Sequence, residues 1–330
     1  MKRAALVLPG RGSYTERSLG SLPPDHPKVQ AAEALRAELG LEPLLALDGA
    51  ERFEPARHLR PANVAALIYV VAMLDVERAF KERRPVVALG NSMGWYTALA
   101  AAGALSFEDG FRLVQEMAQL QEQGEPGGQL IYPLVDETWQ RQADRVQMVD
   151  QLLAELSGEA FPSIWLGGYC VLAATPKGLS QLTQALPKVT MGKVTYPFRL
   201  AQHGPYHTPL LAKVSERAAR VLADLDFRSP QIALVDGRGA RFGPWTTDVD
   251  ELRAYTVGHQ VTCPYDFTTS VRVALREWAP DELVLPGPGN TLGGVVGQVL
   301  VEERWRGIAS RADFEAIQGT DQPVIWSMAR

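Results

Sequence analysis

The sequence contains little cysteine and no cluster of positive charge, and these two shortages exclude several classes of protein. The two cysteines, Cys170 and Cys263, are too few for a disulfide framework and lack the spacing of metal ligands. We therefore predict no metal site and a cytoplasmic, reducing environment. The formal net charge is −5 and no Lys/Arg-rich block occurs, so nucleic acid is not expected as a partner.

Long apolar runs are also missing from the sequence. No stretch approaches the roughly 20 apolar residues that a membrane span requires. The first apolar run, residues 4–8, is too short for the core of a signal peptide and stops at Pro9. We therefore expect no association with a membrane. The composition, 46% hydrophobic and 22% charged, is typical of a globular chain with a large core.

The most informative motif is a glycine-flanked serine between an apolar run and an Ala-rich segment. Residues 86–89 are apolar, Gly90 and Gly94 flank Ser92, and residues 95–121 have a helical composition. A G-x-S-x-G sequence between a strand and a helix is the pattern of a nucleophile elbow, in which a sharp turn exposes the serine hydroxyl. The alternative interpretation is an ordinary strand-to-helix turn in which the serine caps the helix.

The order of predicted elements favours an α/β fold. Apolar runs that read as buried strands alternate with amphipathic segments that read as helices. The segment after Ser92 breaks near Gly103 and restarts at Ser106, which is a good helix N-cap. The glycine-rich turn at 9–13 lacks the patterns of a phosphate-binding loop. The predicted strands are 4–8, 86–89, 232–235 and 283–285, and the predicted helices are 29–38, 61–80, 209–225 and 291–302.

A smaller α+β unit is predicted inside the larger domain. The linker at 124–128 marks a change of pattern, and a β-α-β-α-β order follows it. We expect residues 1–125 and 198–330 to form the large domain and residues 126–197 to form the insertion. The last dozen residues carry no readable pattern. The elements predicted for the smaller unit are strands at 129–134, 164–174 and 189–200 and helices at 136–156 and 178–186.

A nucleophilic serine requires a base, and the chain offers five histidines. His207 follows a Gly-Pro turn at the predicted start of a helix, which would hold its ring firmly. We favour His207 as the base, ahead of His203 and then His259. His26 and His58 lie in predicted loops and are expected to be solvated.

Five sequence blocks, in order, resemble the malonyl-CoA:acyl-carrier-protein transacylase family, which includes the acyltransferase domains of polyketide synthases. The resemblance implies an α/β-hydrolase-like large domain with a parallel sheet and an inserted ferredoxin-like subdomain. The matching blocks are the turn at 8–13, the serine motif with its helix at 90–103, the Tyr-His-Thr-Pro-Leu run at 206–210, the Gln-Val…Pro…Phe run at 260–267 and the Gly-Pro-Gly turn at 287–289.

The resemblance also implies roles for individual residues. Ser92 would be the nucleophile, and His207 would be the general base and then the general acid. The backbone carbonyl of Gln260 would hold the imidazole tautomer. The amides of Met93 and Arg11 would stabilise the oxyanion, and a backbone donor tolerates the change from the family's Gln to Arg at position 11.

Two positions in the substrate pocket, Met117 and Asn91, depart from the family pattern. Met117 stands where members that bind malonyl carry an Arg on the helix after the elbow. Since Met cannot pair with a carboxylate, a dicarboxylic acyl group is disfavoured unless Arg11 supplies the cation. Asn91 replaces the His before the nucleophile. A third pocket residue, Tyr206 before His207, is bulky, as in the malonyl-type members.

The sequence therefore predicts an acyltransferase that moves an acyl group from a CoA or carrier-protein thioester, through acyl-Ser92, to the phosphopantetheine of an acyl carrier protein. We expect a monocarboxylic acyl group, specialised polyketide or fatty-acid assembly, a monomer, and no cofactor apart from the thioester substrate. The runner-up is an acyl-thioester hydrolase on the same fold. A non-catalytic carrier-binding module and an unrelated α/β-hydrolase are less favoured alternatives.

Overall fold

The computed structural model describes residues 1–329, and its strands form two main sheets and a small hairpin. The strands are β1 (Arg3–Leu8), β2 (Arg84–Gly90), β3 (Gly128–Pro133), β4 (Ala160–Leu166), β5 (Tyr169–Ala174), β6 (Val189–Met191), β7 (Val194–Tyr196), β8 (Phe198–Arg199), β9 (Ala233–Val235), β10 (Arg241–Phe242), β11 (Tyr265–Asp266), β12 (Glu282–Leu285) and β13 (Ile325–Ser327).

Helices surround both sheets. A π-helical turn, Tyr255–His259, and short 3-10 turns at Glu16–Ser18, Pro209–Leu211 and Trp305–Gly307 complete the set. The α-helices are α1 (Pro27–Glu38), α2 (Leu44–Asp48), α3 (Pro55–His58), α4 (Pro61–Glu82), α5 (Gly94–Ala101), α6 (Phe107–Glu122), α7 (Ala143–Glu155), α8 (Pro176–Ala185), α9 (Ala212–Val221), α10 (Val249–Ala254), α11 (Gln260–Thr262), α12 (Phe267–Trp278), α13 (Thr291–Glu302) and α14 (Arg311–Gln318).

The larger sheet has the strand order β10-β9-β2-β1-β12-β13. Its neighbouring strands are parallel except for the antiparallel pair β9–β10. Since parallel strands end at the same edge of a sheet, the loops that follow β1, β2 and β12 lie side by side. Those loops carry the three glycine-containing turns that the sequence singles out.

Two helices show how the sequence pattern sets the packing around the larger sheet. α4 is apolar on almost every face and is buried along most of its length, as expected of a helix inside a large core. α6 packs beside it, and its start is fixed by the Ser106 side chain, which accepts a hydrogen bond from the Asp109 amide at 3.0 Å. The predicted restart at Ser106 is therefore confirmed.

The second sheet has the order β11-β4-β5-β3-β8 and its own apolar cluster. Its strands are antiparallel except for β11, which runs parallel to β4. The sheet begins with β3, inside the predicted insertion at 126–197. However, β8 and β11 lie outside that range, so the larger domain's part of the chain also contributes to this sheet.

Several predicted boundaries are wrong for local reasons. The predicted helix at 136–156 starts only with α7, because the Asp136 carboxylate accepts hydrogen bonds from Thr138 and Gln140 and holds a turn before it. The predicted strand at 164–174 is a hairpin, β4 and β5, with Gly167 in the left-handed region at its turn.

Several elements of the fold have no counterpart in the sequence predictions, and β13 and α12 matter most for the larger sheet. The last dozen residues contain β13, which pairs with β12 at the edge of the larger sheet. The helix α12 was also not predicted, although it packs against β2. Within residues 1–329, none of the helices combines the length and the apolar character that a membrane crossing requires.

Alanine substitutions at Gly294 and Gly297 would test how α13 packs on α14. A Cβ added at Gly294 would meet no atom within 4 Å, whereas one at Gly297 would lie 2.9 Å from Cζ of Phe314. We expect Gly294→Ala to stabilise the fold by up to about 1 kcal/mol, because alanine favours helix. Gly297→Ala should destabilise it by about 1–3 kcal/mol through overpacking. Thermal unfolding of both variants measures the difference, and equal melting temperatures would contradict this packing.

Candidate active site

The turn after β2 is so tight that glycine is required on both sides of Ser92. A Cβ at Gly90 would lie 2.1 Å from the carbonyl carbon of Gly94, and a Cβ at Gly94 would lie 2.3 Å from the Leu8 carbonyl oxygen. Ser92 itself has a φ of 55°, which is rare for a residue with a side chain. This is the strained geometry of a nucleophile elbow, and it leaves the serine partly exposed.

The turn after β1 packs directly against this elbow. The Asn91 amide donates to the Leu8 carbonyl at 3.0 Å. A Cβ at Gly10 would lie 2.5 Å from the Asn91 carbonyl oxygen, so the two backbones approach as closely as glycine permits. This contact brings the turn that carries Arg11 against the turn that carries Ser92, although the two turns are far apart in the sequence.

His207 lies between Ser92 and a backbone carbonyl. Its Nε2 is 2.7 Å from Ser92 Oγ, and its Nδ1 is 2.6 Å from the Gln260 carbonyl oxygen. Because a carbonyl can only accept, Nδ1 carries the proton, and the lone pair of Nε2 faces the serine hydroxyl. The arrangement can withdraw the serine proton, which is the requirement for a serine nucleophile.

The side chain of Gln260 holds the same assembly together. Its Oε1 accepts a hydrogen bond from the Tyr96 hydroxyl at 2.7 Å, and its Nε2 donates to the Ser92 carbonyl at 3.2 Å. One residue therefore orients the imidazole through its backbone and fixes the elbow and α5 through its side chain. The predicted role for Gln260 involved its carbonyl alone.

Tyr265 is a site residue that the sequence reasoning missed. Its hydroxyl donates to the Gly90 carbonyl at 2.6 Å, and its ring centroid lies 5.5 Å from that of His207. It supports the strand before the serine and one side of the imidazole. The signal was present, since Tyr265 lies within the 260–267 block.

Burial controls the charge of the imidazole. It lowers the pKa of His207 from its ordinary 6.5 to about 4, although the hydrogen bond to the Gln260 carbonyl opposes the shift. His207 is therefore neutral, and able to act as a base, at any pH well above 4.

Two backbone amides beside the serine are free to bind an anion. Within residues 1–329, neither the Met93 nor the Arg11 amide has a hydrogen-bond acceptor. Met93 immediately precedes α5, so its amide belongs to the N-terminal end of that helix, where negative charge is favoured. These are the two donors to which the family resemblance gives the role of binding an oxyanion.

A small chamber of about 20 Å³ lies next to the elbow and is lined by Met117 and Arg11, each of which differs from the family's residue at its position. Met117 is fully buried there and presents only its thioether and methylenes. Since one water needs roughly 10–15 Å³, the chamber accepts one or two small groups. It is lined by Arg11, Met93, Tyr96, Met117, Gln121 and Gln260, among others.

The Arg11 side chain faces this chamber without a carboxylate partner within the described part of the chain. Its guanidinium donates to the Tyr206 hydroxyl at 2.5 Å and to the Gln202 carbonyl at 2.8 Å. Its Nε is buried and has no hydrogen-bond partner in residues 1–329. Arg11 therefore remains a cation held by neutral oxygens.

A cleft of about 590 Å³ runs between the two sheets and reaches the elbow. Its walls are mainly apolar, from the second sheet and from the start of α13. At the end nearest Ser92 the lining is polar and consists of Arg11, Asn91 and His203. A slender substrate can reach the serine along this cleft.

The other histidines lie away from the serine hydroxyl. His203 bonds instead to Gln129 Oε1, through Nδ1 at 2.8 Å. His26 caps α1, and His259 lies in the π-helical turn. The prediction that His58 is solvated is wrong, because its ring is fully buried between the carbonyls of Leu47 and Glu54.

Known proteins of similar sequence cover nearly the whole chain. The malonyl CoA-acyl carrier protein transacylase of Haemophilus influenzae is 26% identical over 328 residues, which cover 96% of this chain and 99% of that protein. No protein-family model matches the chain. The relative's name agrees with the predicted enzyme class, an acyltransferase.

Solved structures share the fold over the full length. The malonyl-CoA:ACP transacylase of Synechocystis matches with a TM-score of 0.77 at 17% identity, covering 100% of this chain and 98% of that one. A malonyl-transacylase solved with its type II polyketide acyl carrier protein matches with a TM-score of 0.75 at 20% identity, covering 100% and 96%. These structures confirm the predicted fold class, and the name of the Haemophilus relative agrees with the predicted family.

The charge state of His207 can be tested without knowledge of the substrate. Labelling of Ser92 by a sulfonyl fluoride requires the neutral imidazole, which persists until the pH falls through about 4. We expect the labelling rate to stay level from about pH 8 down to about pH 5, where an unshifted imidazole with a pKa near 6.5 would have lost most of its activity. A rate that halves near pH 6.5 would contradict the shift, and His207→Ala supplies the background rate.

Proposed function

We propose that this protein transfers an acyl group between thioesters through an acyl-Ser92 intermediate, as its similarity to malonyl CoA-acyl carrier protein transacylases over nearly the whole chain suggests. The observation that carries the proposal is the continuous line from Ser92 Oγ through the His207 ring to the Gln260 carbonyl, with bonds of 2.7 and 2.6 Å. At the Ser92 end of this line lie the chamber, which suits a short acyl group, and the cleft, which suits a slender thiol arm.

In the first half-reaction, His207 Nε2 takes the hydroxyl proton as Ser92 Oγ bonds to the thioester carbonyl carbon. The oxyanion forms where the free amides of Met93 and Arg11 can bind it, and such donors contribute about 2.7–4 kcal/mol each in enzymes of this type. The C–S bond then breaks, and the imidazolium returns its proton to the departing thiolate. The products are acyl-Ser92 and a free thiol.

In the second half-reaction, the same steps run in reverse with a new thiol. His207 takes the thiol proton, and the sulfur attacks the acyl-serine carbonyl. The C–O bond breaks, and Ser92 recovers its proton from His207. The neutral imidazole at physiological pH is suited to both directions, since it is ready to accept a proton at the start of each.

We infer that the accepting thiol is the phosphopantetheine of an acyl carrier protein. The support is the name of the Haemophilus relative and the complex in which a malonyl-transacylase binds a polyketide acyl carrier protein. The accepting pathway would be fatty-acid or polyketide assembly.

For the acyl group, we propose a short monocarboxylic unit. Met117 offers an apolar, adaptable surface, and the chamber of about 20 Å³ suits a methyl-sized end. A carboxylate there would require Arg11 as its partner, and that guanidinium already donates to Tyr206 and Gln202. The competing possibility is that Arg11 binds a malonyl carboxylate in place of the missing arginine.

The first test concerns the nucleophile and the base. Incubation with a reactive acyl thioester should add one acyl mass to the peptide that contains Ser92, and Ser92→Ala should remove the adduct. His207→Ala should slow acylation by about 10²–10⁴-fold, the range of general base catalysis.

His259→Ala is the matched control, because it removes a histidine that does not contact the serine. An adduct that survives in Ser92→Ala would overturn the nucleophile assignment. Mass spectrometry of the free acid released in the same reactions tests the hydrolase alternative, which requires acyl-Ser92 to lose its acyl group to water faster than to a thiol.

The second test concerns the acyl group. Loss of a charge-assisted bond to arginine costs about 1.5–3 kcal/mol, or about 10- to 150-fold in kcat/KM. We therefore expect acetyl thioesters to acylate Ser92 faster than malonyl thioesters, and Met117→Arg to shift the preference towards malonyl. A malonyl preference in the natural protein that Arg11→Ala abolishes would show that Arg11 has taken over the carboxylate, which would overturn the monocarboxylic proposal.

A further inference from the structure

A chain of hydrogen bonds fixes the protonation of a second imidazole in the cleft. The chain begins at the Tyr206 carbonyl, which can only accept, and Ser163 Oγ donates to it at 2.8 Å. Ser163 Oγ must then accept from Gln129 Nε2, at 2.6 Å. Gln129 therefore presents Oε1 to His203 Nδ1, at 2.8 Å, so Nδ1 carries the proton.

The other nitrogen of His203 is consequently an obligate acceptor. Its Nε2 carries a lone pair, and within residues 1–329 the ring makes its hydrogen bond through Nδ1 alone. The residue lines the cleft next to Arg11 and Asn91, at the end where the cleft reaches the elbow. Burial, the Arg11 cation and the His207 ring all lower the pKa of His203 well below its ordinary value, so the ring stays neutral.

The position of this nitrogen suits it to accept a hydrogen bond from a substrate and not to activate the serine. The serine hydroxyl is already bonded to His207, and His203 has no contact with it. An N–H group of the substrate can satisfy Nε2 without any proton transfer. The function of His203 is therefore to be sought in binding the substrate and not in the chemical step.

We propose that His203 Nε2 accepts a hydrogen bond from the amide N–H nearest the sulfur of the pantetheine arm. The inference rests on the proposed function, because the arm is common to the donor and the acceptor thioester. Two methylenes separate this amide from the sulfur. When the thioester carbonyl is at the elbow, the amide therefore lies a short distance along the cleft. His203, four residues before His207, lies on the wall that the arm must pass.

This contact favours a substrate with an N–H group, because Nε2 can only accept a hydrogen bond and the N–H can donate one. An ester oxygen in place of the N–H presents a lone pair to Nε2 and leaves the nitrogen without a partner. Loss of such a bond within a cleft lowers kcat/KM by about tenfold or more. The apolar walls farther along the cleft do not distinguish an amide from an ester of the same shape.

The test compares two acetyl thioesters that differ at one atom. One is the thioester of N-acetylcysteamine, which has the amide N–H, and the other is the thioester of 2-mercaptoethyl acetate, which has an ester oxygen instead. Thiol release measures kcat/KM for each. We expect the natural protein to favour the amide by about tenfold, mainly through KM, and His203→Phe, which keeps the ring shape, to react equally with both.

Gln129→Leu supplies a second variant in case His203→Phe does not fold. It retains the imidazole but releases the tautomer lock, so the preference for the amide should shrink without disappearing. In the natural protein, the ¹⁵N signal of His203 Nε2 should shift when N-acetylcysteamine thioester analogues bind. The ¹⁵N signal of Nδ1 should remain at the position of a protonated ring nitrogen.

The outcomes separate this inference from the proposed function. Equal reaction of the natural protein with both thioesters, with Ser92 acylated by each, would overturn the role of His203 and leave the acyltransferase intact. An amide preference that persists in His203→Phe would also overturn it. Failure of both thioesters to acylate Ser92 would overturn the proposed function and this inference together.

Discussion

The site depends on the close approach of two backbone turns at the edge of the larger sheet. The absence of a side chain at Gly10 and Gly94 lets the turn after β1 lie against the turn after β2, and its absence at Gly90 lets the second turn close on itself. Ser92 lies in this second turn in a left-handed conformation, and Arg11 lies in the first. One steric requirement, glycine at these three positions, therefore underlies both the conformation around Ser92 and the contact between the two turns.

The imidazole is oriented by a backbone carbonyl and not by a carboxylate. The Gln260 carbonyl fixes the tautomer of His207 without adding a negative charge, so burial dominates and the pKa falls to about 4. A buried carboxylate at this position would have favoured the protonated ring. The imidazole beside Ser92 is therefore neutral in the physiological range, while the Gln260 side chain fixes the elbow and α5.

Polar groups near the serine are arranged in two separate networks. One joins Ser92, His207 and Gln260, and the other joins Tyr206, Ser163, Gln129 and His203. The two networks adjoin in the sequence at Tyr206 and His207. Tyr206 belongs to the second network, and His207 belongs to the first. In the proposed mechanism, the first network transfers protons at the serine and the second binds the substrate along the cleft. Arg11 donates to Tyr206 of the second network, and its Nε remains without a partner within residues 1–329.

The sequence by itself determined the local elements of the site. Glycine spacing, the apolar run before Ser92 and the N-cap at Ser106 act through contacts between near neighbours, so they can be read from the chain. The choice of His207 as partner of Ser92 also follows from its place in the ordered blocks. Helix boundaries near Asp136 were missed because a side chain there competes with the helix for hydrogen bonds.

Only the tertiary structure decided what depends on contacts between distant segments. The strand β13 has no pattern of its own and forms because β12 offers an open edge. The burial of His58, the addition of β11 to the second sheet and the link from Gln129 to His203 each join residues far apart in the chain. Such contacts form through chain topology, which brings together side chains whose spacing in the sequence carries no sign of the pairing.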